Sequence, residues 1–243
     1  MPTETDYPDT IEKAITAYTT VIEQNQNDAS TYYARGRAYA AVKKFDSAIS
    51  DFSKVIALRP DDWVTMYDRG ITFEANLNYG LAIADYTSAI GITHGNIYVI
   101  LARARSFTRR KEFDSAIADE TSVIMRSPHF VNGLYFRCWT RGIANGDLDK
   151  ALEDCNAAAT NSRSTEALTI RGFIHFRKGD LQKAITDYNS ALAIDSKSAV
   201  ALYERGIAKI RSGDDSAGRA DISQALQLNS HAADDMILAG VTP

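Results

Sequence analysis

Arginine recurs at Arg35, Arg69, Arg103, Arg137, Arg171 and Arg205, a strict interval of 34 (69 − 35, and so on to 205 − 171), and no other feature restricts the fold of this chain so severely. A unit that short cannot bury its apolar face alone, so it must stack on copies of itself. Other positions keep the same step: Gly36, Gly70, Gly172, Gly206 and Gly240 follow the arginine register, and Ala14, Ala48, Ala82, Ala116 and Ala184 recur further along. Six units fit, at residues 29–62, 63–96, 97–130, 131–164, 165–198 and 199–232, with 1–28 before them and 233–243 after.

Within the first unit, Phe45, Ala48, Ile49, Phe52, Val55, Ile56 and Leu58 form an apolar stripe of helical spacing with no internal Gly or Pro. The spacing predicts a helix over 45–58. A second run over 30–42 ends near Lys43 and Lys44, cations that suit the negative end of a helix dipole. Pro60, with Asp61 and Asp62, closes the unit and opens the next, and Pro128 does the same two units later. Each unit therefore reads as an antiparallel helix pair. Composition agrees: Gly and Pro together number only 14 + 5 = 19 of 243 residues, which argues against collagen, disorder and turn-rich β folds.

Tyr32, Gly36, Tyr39, Ala48, Phe52 and Pro60 fall at the spacings of the tetratricopeptide repeat signature, and the chain resembles that family over all six units. The resemblance implies an all-α, right-handed α-solenoid of about 14 helices: two per unit, one N-terminal half-unit and a short C-terminal one. Unit three departs with Ala104 for Gly, and unit four with Cys138. Ala151 is displaced by one position, so unit four is expected to carry a one-residue bulge near 142–146, compensated before Thr165.

Where the family signature has Leu, this chain has Arg in every unit, and a cation on a core-facing position needs a partner. Asp51, Asp85, Asp119, Asp187 and Asp221 each follow their arginine at a separation of 16 (51 − 35 in the first unit), and Asp154 follows Arg137 at 154 − 137 = 17. Six helix-to-helix ion pairs are predicted, in preference to an arginine stripe for anionic ligands. The end half-units carry Ala17 and Ala239 at the ladder position, as expected of caps. The N-terminal helix is expected over 9–25, opened by Asp9 with Glu12, and offers a surface for weak self-association. Cys138 and Cys155 face each other across unit four. Two buried free thiols are the expected state, with a disulfide as the alternative in an oxidising compartment.

No catalytic constellation or phosphate loop is present, and none of the four histidines has a metal-ligand partner at helical spacing, so no enzyme activity, cofactor or metal is expected. The net charge is 27 − 31 = −4, which argues against a dedicated nucleic-acid binder. No apolar stretch approaches the roughly 18 residues of a membrane span. Residues 1–30 lack the basic and apolar blocks of a signal peptide, so a cytoplasmic location is expected, or a periplasmic one if a leader preceded the chain. The resemblance implies a noncatalytic protein-interaction scaffold whose first helices line a groove. Arg105, Arg109, Tyr135, Trp139, Phe173 and Arg177 fall at adjacent groove positions and form the expected peptide-binding patch, suited to a partner with acidic and apolar residues. The Lys and Asn set by which family members clamp acidic chaperone tails is missing: the matching residues are Tyr33, Arg37, Asp68, Tyr98 and Ala102. A single-stranded nucleic-acid binder and a structural subunit of an enzyme or envelope assembly are the alternatives.

Overall fold

The computed structural model describes residues 6–144, 146–161 and 164–241. Among these residues the chain forms 14 helices and no strand, and it divides into two blocks, up to Glu112 and from Phe113 onward. The N-terminal block holds α1 (Asp6–Gln24), α2 (Ala29–Ala41), α3 (Phe45–Leu58), α4 (Trp63–Ala75), α5 (Tyr79–Ile92) and α6 (Ile97–Arg109). The C-terminal block holds α7 (Phe113–Arg126), α8 (Val131–Ile143), α9 (Leu148–Asn161), α10 (Thr165–Arg177), α11 (Leu181–Ile194), α12 (Ala199–Arg211), α13 (Asp215–Leu228) and α14 (Asp234–Leu238).

First helices begin one full repeat apart, and short polar side chains start them: Asp28, Asp62, Asn96, Ser164 and Ser198 each accept a hydrogen bond from a backbone N–H of the first turn. Helix α1 starts at Asp6, ahead of the expected start at residue 9; the side chain of Asp9, and with it the expected capping box, lies outside what the structure describes. The bulge in unit four is present: four residues separate α8 from α9, where the other helix pairs are joined by three. The connection from α9 to α10 is one residue shorter than its counterparts, which restores the register.

Helix pairs close on a small residue facing a ring. A Cβ at Gly36 would lie 2.9 Å from the Phe52 ring, and one at Gly172 would lie 2.7 Å from Tyr188. In unit four the same two positions are Cys138 and Cys155, joined in a disulfide with Cα atoms 5.5 Å apart and both residues fully buried. The expectation of free thiols is corrected: the bulge leaves these side chains facing each other across the α8–α9 pair, where Gly and an aromatic ring meet elsewhere. In the last unit the contact is backbone to backbone, since a Cβ at Gly218 would lie 2.6 Å from the carbonyl oxygen of Gly206.

The arginine ladder forms within units as predicted. Nε and Nη2 of Arg35 donate to Asp51 at 2.8 Å each, and Arg69, Arg137, Arg171 and Arg205 make the same fork to Asp85, Asp154, Asp187 and Asp221 at 2.6–2.8 Å. The sixth combination, Arg103 with Asp119, is divided between the two blocks. Each carboxylate is buried while its guanidinium is partly exposed, which is the geometry that makes a bidentate pair strong. Hydrogen bonding to Asp51 and Asp187 raises the pKa of Arg35 and Arg171. Burial works to raise that of Asp221, but hydrogen bonds from Arg205 and Lys209 outweigh it and leave it lowered.

A third arm of the ladder escaped the sequence reading. Nη1 of each arginine turns to the second helix of the preceding unit: Arg35 to Thr19 at 3.0 Å, Arg69 to Ser53 at 2.9 Å, Arg103 to Thr87 at 3.1 Å, Arg137 to Thr121 at 3.1 Å, Arg171 to Asn156 at 3.5 Å and Arg205 to Asn189 at 2.8 Å. One guanidinium thus ties three helices.

Candidate interaction surface

In the N-terminal block, α2, α4 and α6 are neighbours. Tyr33 and Tyr67 lie half-buried, their rings 5.9 and 5.8 Å from Phe52 and Tyr86, so each packs on its pair and leaves one edge outward. Tyr98 is 62% exposed and Ile71 39% exposed, with Leu101 beside them. Arg37 lies over the Tyr33 ring, whose hydroxyl donates to Asp68 at 2.7 Å. Burial and that hydrogen bond push the Tyr33 phenol up to about 12.

Arg105 sits on this face but is not alone. Its Nε donates to Glu74 at 3.3 Å and its Nη2 makes a closer bond to the same carboxylate. Glu74 also accepts from Ser106 Oγ at 2.7 Å and from the Tyr86 hydroxyl at 3.1 Å. Burial lowers the pKa of Arg105, but the hydrogen bond and charge of Glu74 outweigh it and leave it raised. Arg109 ends α6, exposed, on the same face.

The C-terminal block treats the equivalent positions differently. Phe173 is 0% exposed: Trp139 lies on it at 4.8 Å between ring centroids, and it belongs to a core with Phe176, Tyr203, Ile207 and Met236. It is therefore a packing residue, and its expected place in the patch is corrected. A first-helix face position is open only if nothing covers it, and here neighbouring side chains fill the space. Tyr135 and Trp139 are half-buried, Tyr135 stacked on Phe136 at 4.4 Å. Arg177 donates from Nη1 to the Gly142 carbonyl at 2.8 Å and lies over Phe173, and burial lowers its pKa. Arg211 likewise covers Phe176, 4.8 Å from the ring centroid. Arginines in this block cap aromatic core residues, whereas Arg37 and Arg105 stand on an exposed surface. The six residues of the expected patch fall two in one block and four in the other.

Stacked antiparallel helix pairs at a fixed sequence interval define an α-helical repeat solenoid. The family model of the tetratricopeptide repeat matches residues 29–62, and a TPR repeat model matches residues 172–213. The chain thus contains tetratricopeptide repeats, and its structural neighbours share that solenoid fold. No curated protein matches it. Similar solved structures include a chain of the APC/C hetero-tetramer Cut9–Hcn1, at 15% identity and a TM-score of 0.68, covering 94% of this chain and 46% of that one. The chain thus spans about half the length of that relative. A tetratricopeptide repeat protein from Parabacteroides merdae is 16% identical with a TM-score of 0.60, covering 90% and 78%. A thermophilic TPR protein from Thermus thermophilus is 15% identical with a TM-score of 0.64, covering 73% and 97%. At these identities the likeness is one of fold.

Proposed function

We propose that the chain is a noncatalytic interaction scaffold that binds a segment of a partner protein on the α2–α4–α6 face of its N-terminal block. The observation that supports this most is the exposure of Tyr98 and Ile71 between Arg37, Arg105 and Arg109. Aromatic and arginine side chains are the types that dominate binding hot spots, since they join large contact area to directed hydrogen bonds. A partner segment with acidic and apolar residues fits both. Trp139, Tyr135 and Arg177 offer a second, more enclosed surface of the same chemistry in the C-terminal block.

The test is photo-crosslinking in the native host with a benzophenone amino acid at position 98, and separately at exposed Met125. A discrete protein adduct from position 98, lost with Ile71→Ala, is expected. Adducts to nucleic acid, or adducts from position 125 alone, would refute the reading.

A further inference from the structure

Since α2, α4 and α6 stack side by side in one direction, the turns that follow them share one edge of the N-terminal block. The tips of these turns are Lys43, Leu77 and Lys111, one full repeat apart (77 − 43 = 111 − 77 = 34). All three are exposed and hold left-handed backbone, which penalises any residue with a Cβ. A lysine there at least keeps its ammonium in water. Leu77 does not have that excuse: it is 73% exposed, and Leu81, one helical turn further on, is 53% exposed. The same register takes Gly179 and Gly213 in the C-terminal block, so the chain holds a leucine out in water at a position where glycine relieves the backbone. Folding does not account for that choice. Residues 75–84 carry no charge, whereas the flanking turns carry Lys43 and Lys44 on one side and Arg109, Arg110 and Lys111 on the other. Within the block, three carboxylates stand among these five cations: Glu12 on Lys44, Glu112 on Arg110, and Asp46, which accepts from Asn76 at 3.4 Å. The edge keeps a surplus of 5 − 3 = 2 positive charges. The opposite edge, where α2 and α4 begin, has Asp28, Asp61 and Asp62 against Arg59.

We infer that this edge docks on an anionic membrane surface, with Leu77 and Leu81 entering the lipid interface and the cations of the neighbouring turns lying among acidic headgroups. It is a second surface, made of the turns rather than of the first-helix face, and it does not depend on the partner proposed there. Shape decides the kind of partner. A leucine at the tip of a tight turn stands out from its surroundings, so a protein would need a pocket cut to receive it, whereas a bilayer interface takes a protruding apolar side chain anywhere on its plane. Charge complementarity points the same way, because lysine and arginine near an acidic leaflet are attracted to it and can keep their stems on apolar surface while their heads reach phosphate. An open cavity of about 320 Å³, lined by Lys43, Lys44, Asp46, Ser47 and Asn76 among others, gives a headgroup room beside Leu77. Two leucines and a small charge surplus make a weak, reversible contact.

The experiment is flotation of the full chain with vesicles of phosphatidylcholine alone and with vesicles of equal parts phosphatidylcholine and phosphatidylglycerol. The parent is expected to float with the mixed vesicles, about tenfold less with phosphatidylcholine alone, and less as salt rises. Leu77→Asn is the decisive variant, since Asn tolerates left-handed backbone and keeps the turn while the apolar tip is lost; it should weaken binding about fivefold. Lys43→Gln with Lys111→Gln should erase the preference for the mixed vesicles, and Tyr98→Ala, on the first-helix face, should change nothing. In the native host, a benzophenone amino acid at position 77 is expected to give lipid adducts. If the parent floats with neither vesicle, or if Leu77→Asn floats as the parent does, the membrane reading is wrong. Protein adducts alone from position 77 would overturn it too and assign this edge to a protein partner. A lysine variant that keeps the full preference would remove the cations from the contact. The crosslink at position 98 is read separately, so the two surfaces stand or fall on different results.

Discussion

The two blocks use one repeat for opposite ends. In the N-terminal block the first helices leave Tyr98 and Ile71 open, and the turns that follow its first helices place Lys43, Leu77 and Lys111 in the left-handed region, with φ of 59°, 59° and 62°. In the C-terminal block Phe173 and Ile207, the counterparts of Ile71, are buried, and the corresponding turn residues are Gly179 and Gly213, which adopt positive φ without a Cβ penalty. That block also carries the disulfide and the Gly206–Gly218 approach. Display and stability are thus separated along the chain, because a side chain available to a partner is one that its own fold has not covered.

One residue runs against that division. Glu120 stands at the position where the N-terminal block has Phe52 and Tyr86, almost fully buried, with one oxygen accepting from Thr140 at 2.7 Å and the other without a hydrogen bond. Burial pushes its carboxyl up to about 8. An acid with a raised pKa holds its proton in the folded state while the unfolded chain ionises near 4.5, so stability falls as pH rises from there toward 8. The loss is about 3 kcal/mol by pH 7. Glu120→Gln should flatten that slope, and denaturant melts of parent and variant at pH 5 and pH 8 check it. Equal slopes would show that the carboxyl ionises at no cost.

Of similar size is the effect of the disulfide, which closes a loop with a sequence separation of 17. Cys138→Ala with Cys155→Ala should destabilise the C-terminal block by about 3 kcal/mol on the chain-entropy account. Hydrogen exchange should show faster opening of α8 and α9 with α2 to α5 unchanged. Uniform acceleration would mean that the blocks do not unfold separately. Gly218→Ala comes next, at about 2 kcal/mol, because its methyl meets a backbone oxygen and Ile210. The equivalent residue in the N-terminal block, Ala48, already carries that methyl, and Ala48→Gly should cost only about 1 kcal/mol through helix propensity. Chemical denaturation of the two variants gives the ranking directly. Smallest is Leu77→Gly, expected to stabilise by up to about 1 kcal/mol by relieving the left-handed turn. A loss instead would show that the exposed Leu77 side chain makes a stabilising contact.

Periodicity made the helix pairs, the bulge and the Arg–Asp ladder legible in the sequence, since each depends on which residues share a face. The third arm was also written there: Thr19, Ser53, Thr87, Thr121, Asn156 and Asn189 precede the arginines at a separation of 16, or 15 at the bulge, and all can accept a hydrogen bond. It was missed because short polar residues on a helix surface look like solvated ones. Phe173 was misplaced for another reason. Spacing says toward which side a residue points, but whether Trp139 and its neighbours lie over it depends on the size of side chains a whole unit away. Likewise Glu74 is remote from Arg105 in sequence, and its grip on the guanidinium comes from the stacking of α4 against α6. The cysteines faced each other on paper, yet spacing alone does not distinguish two thiols from a bond.

Because each arginine takes its third hydrogen bond from the unit before it, the units are joined by a coupling that repeats with the sequence itself. Excision of residues 63–96 would bring Arg103 onto Ser53 in place of Thr87, one hydroxyl exchanged for another. A deletion one residue longer or shorter would turn the following helix by roughly 100° and leave the same guanidinium without its acceptor. A gene of this kind can lengthen or shorten by whole units and keep every junction, but it cannot drift by single residues, except where a compensating slip follows at once, as it does between α8 and α10.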